Sequence, residues 1–151
     1  MYHEITQDVQ DKINDLLSGF QQAALATSGK RFPHVSKVMP AINNGEIYLL
    51  LSDLSEHTRN IKDISKRVSI YFAAPDIHKT RLNNPRYTVM GKLYPVPYND
   101  NKKSEQYQNM LNVFDKLDSG ASMYGMFGDF NIYRFEQHDH LYVEGFGKAY
   151  K

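Results

Sequence analysis

The chain has 151 residues, and its 18 lysines and arginines against 17 aspartates and glutamates give a formal charge of +1 at pH 7. This length and a hydrophobic content of 41% fit a single folded domain over residues 1–151. The near-neutral charge argues against a nucleic-acid partner, and the absence of cysteine excludes disulfides, thiolate catalysis and cysteine-ligated zinc. The polar, acidic N-terminus and the lack of a long apolar run predict a cytoplasmic protein without a membrane partner.

The order of elements follows from the spacing of apolar and turn residues. Apolar residues three and four apart predict a helix over 4–18 within an N-terminal segment 1–20. Further helices are predicted over 55–64 and 104–117, and strands over 23–27, 34–41, 46–51, 68–74, 86–96, 130–135 and 141–143. Loops rich in glycine, proline or asparagine are predicted over 75–85 and 119–128. Many short strands with few helices favour a small antiparallel barrel over a sheet of βαβ units.

Two of these strands carry further expectations. The continuous apolar run over 46–51 predicts a strand that is buried on both faces. The polar triplet 138–140 predicts a turn between the sixth and seventh strands. If that triplet were extended instead, His138 and His140 would point to one face and could chelate a metal. No third ligand is apparent, and the turn explains the triplet without a metal, so we predict no metal site.

The segment 52–60 combines hydroxyls, an imidazole and a guanidinium at the point where a strand ends and a helix begins. A helix N-terminus offers unpaired amide hydrogens and the positive end of the helix dipole, so Ser55, Thr58 and Arg59 could together hold a phosphate. A helix cap at Ser55 surrounded by solvated charges explains the same residues. From spacing alone both interpretations stay open.

Other motifs for chemistry are weak. Gly145, Phe146 and Gly147 are similar to part of a glycine-rich phosphate loop, but the third glycine and the βαβ context are missing. A bulge or a close backbone approach accounts equally well for this pair of glycines. The chain contains no nucleophile elbow, no zinc-protease motif and no Walker loop.

Several short motifs taken in order resemble the pyridoxamine 5′-phosphate oxidase-like FMN-binding split barrels. They lie at residues 24–27, 33–38, 52 with 57–60, and 67–69. The closing segments 129–134 and 145–149 are similar more narrowly to the heme-utilisation branch of that superfamily. The resemblance covers nearly the whole chain from about residue 15 onward.

The resemblance implies a mainly β fold with flanking helices: a six-stranded antiparallel split β-barrel that forms a homodimer with two cofactor sites at the subunit interface. It also implies where FMN binds, and it favours the phosphate interpretation of the helix start. The implied cofactor-binding residues are Ser36, Lys37, Val38, Ser52, Ser55, His57, Thr58, Arg59 and Arg86. Of these, Ser36, Lys37 and Val38 would follow the flavin, and Arg86 would face it together with Gly91.

We therefore expect an FMN-binding protein that acts on a small molecule as a flavin-dependent oxidoreductase. The alternative is a heme-binding protein with heme-oxygenase-like activity in iron acquisition. In the heme-utilisation branch an axial histidine lies beyond the Gly-Phe-Gly motif, whereas this sequence ends at Lys151. On that ground the sequence favours FMN over heme, and it specifies no substrate, electron donor or acceptor.

Overall fold

A computed structural model describes residues 1–97, 102 and 104–151. The helices are α1 (Gln7–Gly19), α2 (Glu56–Asp63), α3 (Glu105–Leu117) and α4 (Ala121–Tyr124), with a short 3-10 helix at Arg81–Asn83. The strands are β1 (Gln22–Thr27), β2 (His34–Val38), β3 (Ala41–Asn43), β4 (Glu46–Ser52), β5 (Arg67–Ala73), β6 (Arg86–Pro95), β7 (Phe130–Gly145) and β8 (Lys148–Tyr150). Residues 98–101 and 103 lie outside the part of the chain that the structure describes.

The strands form one antiparallel sheet that curls into a half-barrel, in the order β2-β1-β5-β6-β7-β4-β3, with β8 paired to β7. This confirms the predicted mainly β, antiparallel split barrel with flanking helices. The resemblance implied six strands, whereas the described part of the sheet has eight. Among the described residues, no helix is long and apolar enough to cross a membrane.

Two of the predicted strand boundaries were wrong. The strand predicted over 34–41 is interrupted between Val38 and Ala41, where Pro40 has no amide hydrogen to donate to a ladder. The strands predicted over 130–135 and 141–143 are one strand, β7, which pairs with β6 along most of its length. The 16-residue β7 stays extended through its polar centre because β6 supplies backbone partners there. The polar residues at the centre of β7 therefore wrongly predicted a turn.

The triplet His138, Asp139 and His140 lies in this long strand rather than in a turn. The β6–β7 register shifts at Met90 and Gly91, so that β7 has one extra residue there. The bulge separates the two imidazoles, and they line different cavities. His138 lies 2.7 Å from a Glu136 carboxylate oxygen, whereas the Nδ1 atom of His140 is hydrogen bonded to the Tyr87 hydroxyl at 2.7 Å. The prediction that the His138 and His140 side chains point to one face in an extended chain is therefore wrong.

The core has two parts on opposite faces of β4. Ile47, Leu49 and Leu51 are buried in the main core inside the barrel, which α1 covers. Tyr48 and Leu50 point to the other face. They pack against a second apolar cluster, to which α3 contributes Tyr107, Leu111 and Phe114. The prediction that this strand is buried on both faces is confirmed for the face inside the barrel only, because the second face is half-buried.

The turn at Gly145, Phe146 and Gly147 joins β7 to β8, a short strand that the sequence pattern did not predict. Gly147 adopts a φ of +73°, a left-handed conformation that favours glycine in hairpin turns. The pair of glycines therefore serves chain reversal here.

Candidate functional site

The turn between β4 and α2 is fixed to the start of β7. The Ser52 hydroxyl donates to the Asp129 carboxylate at 2.7 Å, and the Asp53 amide donates to the Asp129 carbonyl at 2.6 Å. Lys62, in the last turn of α2, forms an ion pair with Asp53 at 2.7 Å, and Asn131 donates to the same carboxylate at 3.3 Å. These contacts set the position of the α2 N-terminus relative to the sheet.

Helix α2 begins at the residue that the sequence predicts as its cap. Ser55 is extended, with φ −78° and ψ 144°, and its carbonyl accepts the amides of Thr58 and Arg59. Its side chain makes no capping hydrogen bond, contrary to the expectation for a serine cap. The first amide hydrogens of a helix have no intrahelical acceptor, so this end of α2 retains donors and the positive end of the helix dipole.

The first turn of α2 contains buried polar atoms without partners. His57 is hydrogen bonded through Nδ1 to the Ser36 hydroxyl of β2 at 2.9 Å, but its Nε2 has no partner. Thr58 is fully buried and its hydroxyl is also unpaired, as is Nδ1 of His34 at the start of β2. Buried polar atoms are normally hydrogen bonded, so such a group of unpaired atoms calls for an explanation. A polar ligand would provide one only if the first turn of α2 opened to admit it, because these atoms have almost no solvent-accessible surface and neither His57 nor Thr58 lines one of the cavities described below.

Burial lowers the pKa of His57, and the nearby His34 imidazole lowers that pKa further. The unfolded chain takes up this proton near pH ~6.5, so below that pH the unfolded state binds more protons than the folded state. The neutral, buried His57 therefore makes its full contribution to the free energy of unfolding above about pH 6.5, and this contribution is lost as the pH falls.

We expect His57→Gln to flatten the decline in the free energy of unfolding between about pH 7.5 and pH 5. Urea unfolding across that range measures the effect. His78→Gln, which alters an exposed loop histidine, serves as the control and should keep the wild-type slope. An identical pH slope for His57→Gln and the wild type would contradict the assigned role.

A cavity of about 310 Å³ lies beside the second half of β2. Lys37, Val38 and Met39 line one side of it, and Tyr124 and Phe130 are among the residues that line the rest. Val38 is buried in the main core, whereas Lys37 is exposed. The strand predicted to follow a flavin therefore borders a cavity with aromatic walls.

Arg86 does not join this group within one chain. It begins β6, and its guanidinium donates to the carbonyls of Leu82 at 2.6 Å and Asn84 at 3.4 Å. Gly91, opposite Val68 near the α2 end of the sheet, is five residues further along, about 17 Å in a strand. Strand alternation also places Arg86 on the outer face of the sheet, whereas Ser36 faces α2. Within one chain the Arg86 side chain therefore does not reach the first turn of α2.

The structure thus unites some of the predicted residues and separates others. Ser36, His57 and Thr58 meet at the first turn of α2, and Ser52 and Ser55 lie in the adjoining turn. Arg59 follows them in the helix with an exposed side chain. Arg86 stands apart.

Comparison with solved structures identifies the fold. ChuZ of Campylobacter jejuni is 22% identical, with a TM-score of 0.81 over 97% of this chain and 60% of ChuZ. HutZ, a heme storage protein of Vibrio cholerae, is 20% identical, with a TM-score of 0.67 over 86% of this chain and 90% of HutZ. A candidate pyridoxamine 5′-phosphate oxidase of Listeria innocua is 11% identical, with a TM-score of 0.64 over 91% of this chain and 99% of that protein.

This chain has the fold of the pyridoxamine 5′-phosphate oxidase-like split barrels. The structural neighbours of this split barrel include proteins of the heme-utilisation branch, as the resemblance in the sequence implied. No family model matches the sequence, and no curated protein matches it closely. The chain spans about 60% of the length of ChuZ, so activities of such longer proteins do not transfer directly.

Sequence reasoning missed two features of this split barrel. It did not connect Asp53 and Asp129 with the turn that positions α2, because their partners are 9 and 77 residues away in sequence. It also did not connect His34 with His57, although the His34 imidazole is close enough to lower the pKa of His57. A residue pattern without the strand pairing carries no signal for either contact.

Proposed function

We propose that this split barrel binds FMN and uses it as a flavin-dependent oxidoreductase acting on a small molecule in the cytoplasm. The observation that carries the proposal is the set of unpaired buried atoms at the first turn of α2. A phosphate supplies acceptor oxygens and negative charge, and helix N-termini bind such groups. When bound, FMN would supply the electron-transfer chemistry.

The residues at this turn fit a phosphate. The Thr58 hydroxyl is a buried donor without a partner, and the Ser55 hydroxyl makes no capping hydrogen bond. His57 adds an imidazole that an anion would help to protonate. Arg59 supplies a full positive charge on the exposed side, and Glu56 opposes it. Recognition would therefore depend on hydroxyl, imidazole and amide donors more than on guanidinium groups. Ser52 already donates to Asp129, so we assign it to positioning the turn.

The cavity beside β2 would receive the ring system. Val38 and Phe130 give it apolar walls that keep water from the flavin, and Lys37 lies at the exposed side. Its volume of about 310 Å³ is small for a whole cofactor. A second subunit, whose outer face carries Arg86, would complete the enclosure.

A homodimer is supported by the outer face of the sheet. Cross-strand pairing places Lys37, Ala24, Tyr71, Thr88 and Leu141 in one row across β2, β1, β5, β6 and β7. Ala24, Thr88 and Leu141 are half-buried, and Tyr71 is 41% exposed although it sits near the middle of the sheet. Uncovered apolar faces of this kind mark interaction sites. We propose that two copies pack through this face about a twofold axis.

We expect Tyr71→Asp to convert the dimer into a folded monomer, because an unpaired carboxylate at the centre of an apolar interface is costly to bury. Sedimentation velocity at micromolar concentrations measures the change. Ile77→Asp, which alters a residue that is 79% exposed in the loop before β6, is the control and should remain dimeric. A wild-type protein that is monomeric at these concentrations would contradict the proposed dimer.

Absorption spectroscopy tests the cofactor. We expect the purified protein, after incubation with FMN and gel filtration, to retain about one flavin per chain with flavin absorption bands. Protein that elutes without flavin at concentrations where it is folded would contradict the proposal. Circular dichroism of the same sample establishes folding independently of the cofactor.

Heme is the second candidate, because HutZ is a heme storage protein and its fold matches this chain. Titration with hemin measures this alternative. A stoichiometric Soret shift that FMN does not suppress, in protein that retains no flavin, would favour heme over FMN.

A further inference from the structure

A second cavity, of about 630 Å³, lies at one end of the sheet, away from the cavity beside β2. Four elements form it: the β1–β2 turn, the start of β5, the middle of β6 and the bulge of β7. It shares no lining residue with the cavity beside β2, and it includes Gly91, which the resemblance placed opposite the flavin. We call it the bulge cavity.

The bulge cavity is cationic. Arg31, Arg67, Lys92 and His138 line it, and none of the described residues that line it is acidic. Arg67 and Lys92 are direct cross-strand partners, with Cα atoms about 5 Å apart. Like charges in this arrangement repel each other. No described carboxylate forms an ion pair with Arg31, Arg67 or Lys92.

The nearest compensating charge belongs to Glu136, which lies 2.7 Å from the His138 imidazole and pairs with Lys92 in the β6–β7 register. One carboxylate does not neutralise the three cations that have no ion pair. A bound anion would relieve the remaining repulsion, most strongly between the paired Arg67 and Lys92.

The rest of the lining is largely apolar. Ala26, Val68 and Met90 contribute from the sheet, and Phe32 contributes an aromatic ring that is 73% exposed. The Arg31 guanidinium lies 5.8 Å from the centre of that ring. An exposed phenylalanine beside a cation suits a ligand with a flat apolar body as well as a negative charge.

The backbone of the bulge cavity is tightly fixed. A Cβ atom on Gly91 would lie 1.9 Å from the Glu136 carbonyl oxygen, and one on Gly29 would lie 2.0 Å from the Phe32 carbonyl oxygen. Both glycines therefore allow a close backbone approach where the cavity is built. The bulge opposite Gly91 is also what brings His138 to this cavity and away from His140. Bulges commonly redirect a side chain beside a binding site.

We propose that the bulge cavity is a binding site for a small organic anion, an aryl phosphate or aryl carboxylate, separate from the FMN site. Arg67 and Lys92 bind its anionic group, and Met90 and Phe32 contact its apolar body. Ala26 and Met90 lie on the outer face of the sheet in the row next to Ala24 and Thr88, so the site borders the proposed dimer interface and is separate from the first turn of α2.

Isothermal titration with phenyl phosphate tests this proposal, with inorganic phosphate and phenol as the two partial ligands. We expect phenyl phosphate to bind more tightly than either, with its dissociation constant raised at least fivefold in Arg67→Gln and in Lys92→Gln. Lys79→Gln, which removes an exposed loop cation, should leave it unchanged.

Three results would overturn the proposal: no binding of phenyl phosphate, equal binding of inorganic phosphate, or equal affinity in all three variants. Displacement of phenyl phosphate by FMN would also overturn it, because the probe would then occupy the FMN site. Unchanged melting temperatures of the variants show that any loss of binding is local. FMN binding measured in Arg67→Gln separates failure of this site from failure of the proposed function.

Discussion

Replacing Thr58 by valine is expected to weaken FMN binding about tenfold while making the protein without FMN more stable. The hydroxyl is fully buried and unpaired, and a buried polar group without a partner costs about 1–3 kcal/mol. Valine keeps nearly the same shape and removes that cost. A hydrogen bond from the hydroxyl to a charged phosphate is worth about 1.5–3 kcal/mol, and Thr58→Val loses it. Flavin fluorescence titration and urea unfolding measure the two effects.

Thr27→Val is the matched control. Thr27 is buried as well, but its hydroxyl accepts a hydrogen bond from the Asn60 amide at 3.0 Å. Valine at this position leaves Asn60 unpaired, so we expect lower stability and unchanged FMN affinity. Should Thr58→Val destabilise the protein as Thr27→Val does, and bind FMN like the wild type, the Thr58 hydroxyl has no role in ligand binding.

Gly91→Ala is expected to destabilise the fold by about 3 kcal/mol, because overpacking against fixed backbone costs this much. The added Cβ would lie 1.9 Å from the Glu136 carbonyl oxygen and 2.9 Å from the Phe135 ring. The backbone of β7 cannot move away without disturbing its pairing with β6, which runs from Arg86 to Pro95. Urea denaturation measures the loss.

Gly128→Ala provides the comparison for this substitution, since a Cβ at that position meets nothing within 4 Å. We expect its free energy of unfolding to lie within about 0.5 kcal/mol of the wild type. Equal stability of both alanine variants would show that β6 and β7 can separate at the bulge, and would contradict the tight approach at Gly91.

The sequence predicts the elements of this protein best where the pattern is local. The α2 start at Ser55 and the strand that ends at Ser52 follow from apolar runs and a serine at a helix boundary. The strand order and the contact between Ser52 and Asp129 depend on pairing between distant segments, which spacing does not reveal. The continuous β7 is the clearest case, since its polar centre is held extended by β6.

The residues of the candidate site also differ in how well the sequence predicts their positions. The resemblance grouped the β2 strand with the α2 turn, and in the structure Ser36 of β2 is hydrogen bonded to His57 of α2. It also grouped Arg86 with them, although this residue lies on the opposite face of the sheet within one chain. A cofactor site at a subunit interface draws residues from two chains, and one sequence does not say which chain supplies each residue.

The central claim is that the first turn of α2 binds the phosphate of FMN. The ratio of the dissociation constants for riboflavin and FMN measures this contribution directly, because the two ligands differ only in the phosphate. We predict that FMN binds at least 100-fold more tightly than riboflavin, about 2.7 kcal/mol, and that Thr58→Val reduces this ratio. Equal affinity for the two ligands, or a ratio that Thr58→Val leaves unchanged, would contradict the proposed phosphate site.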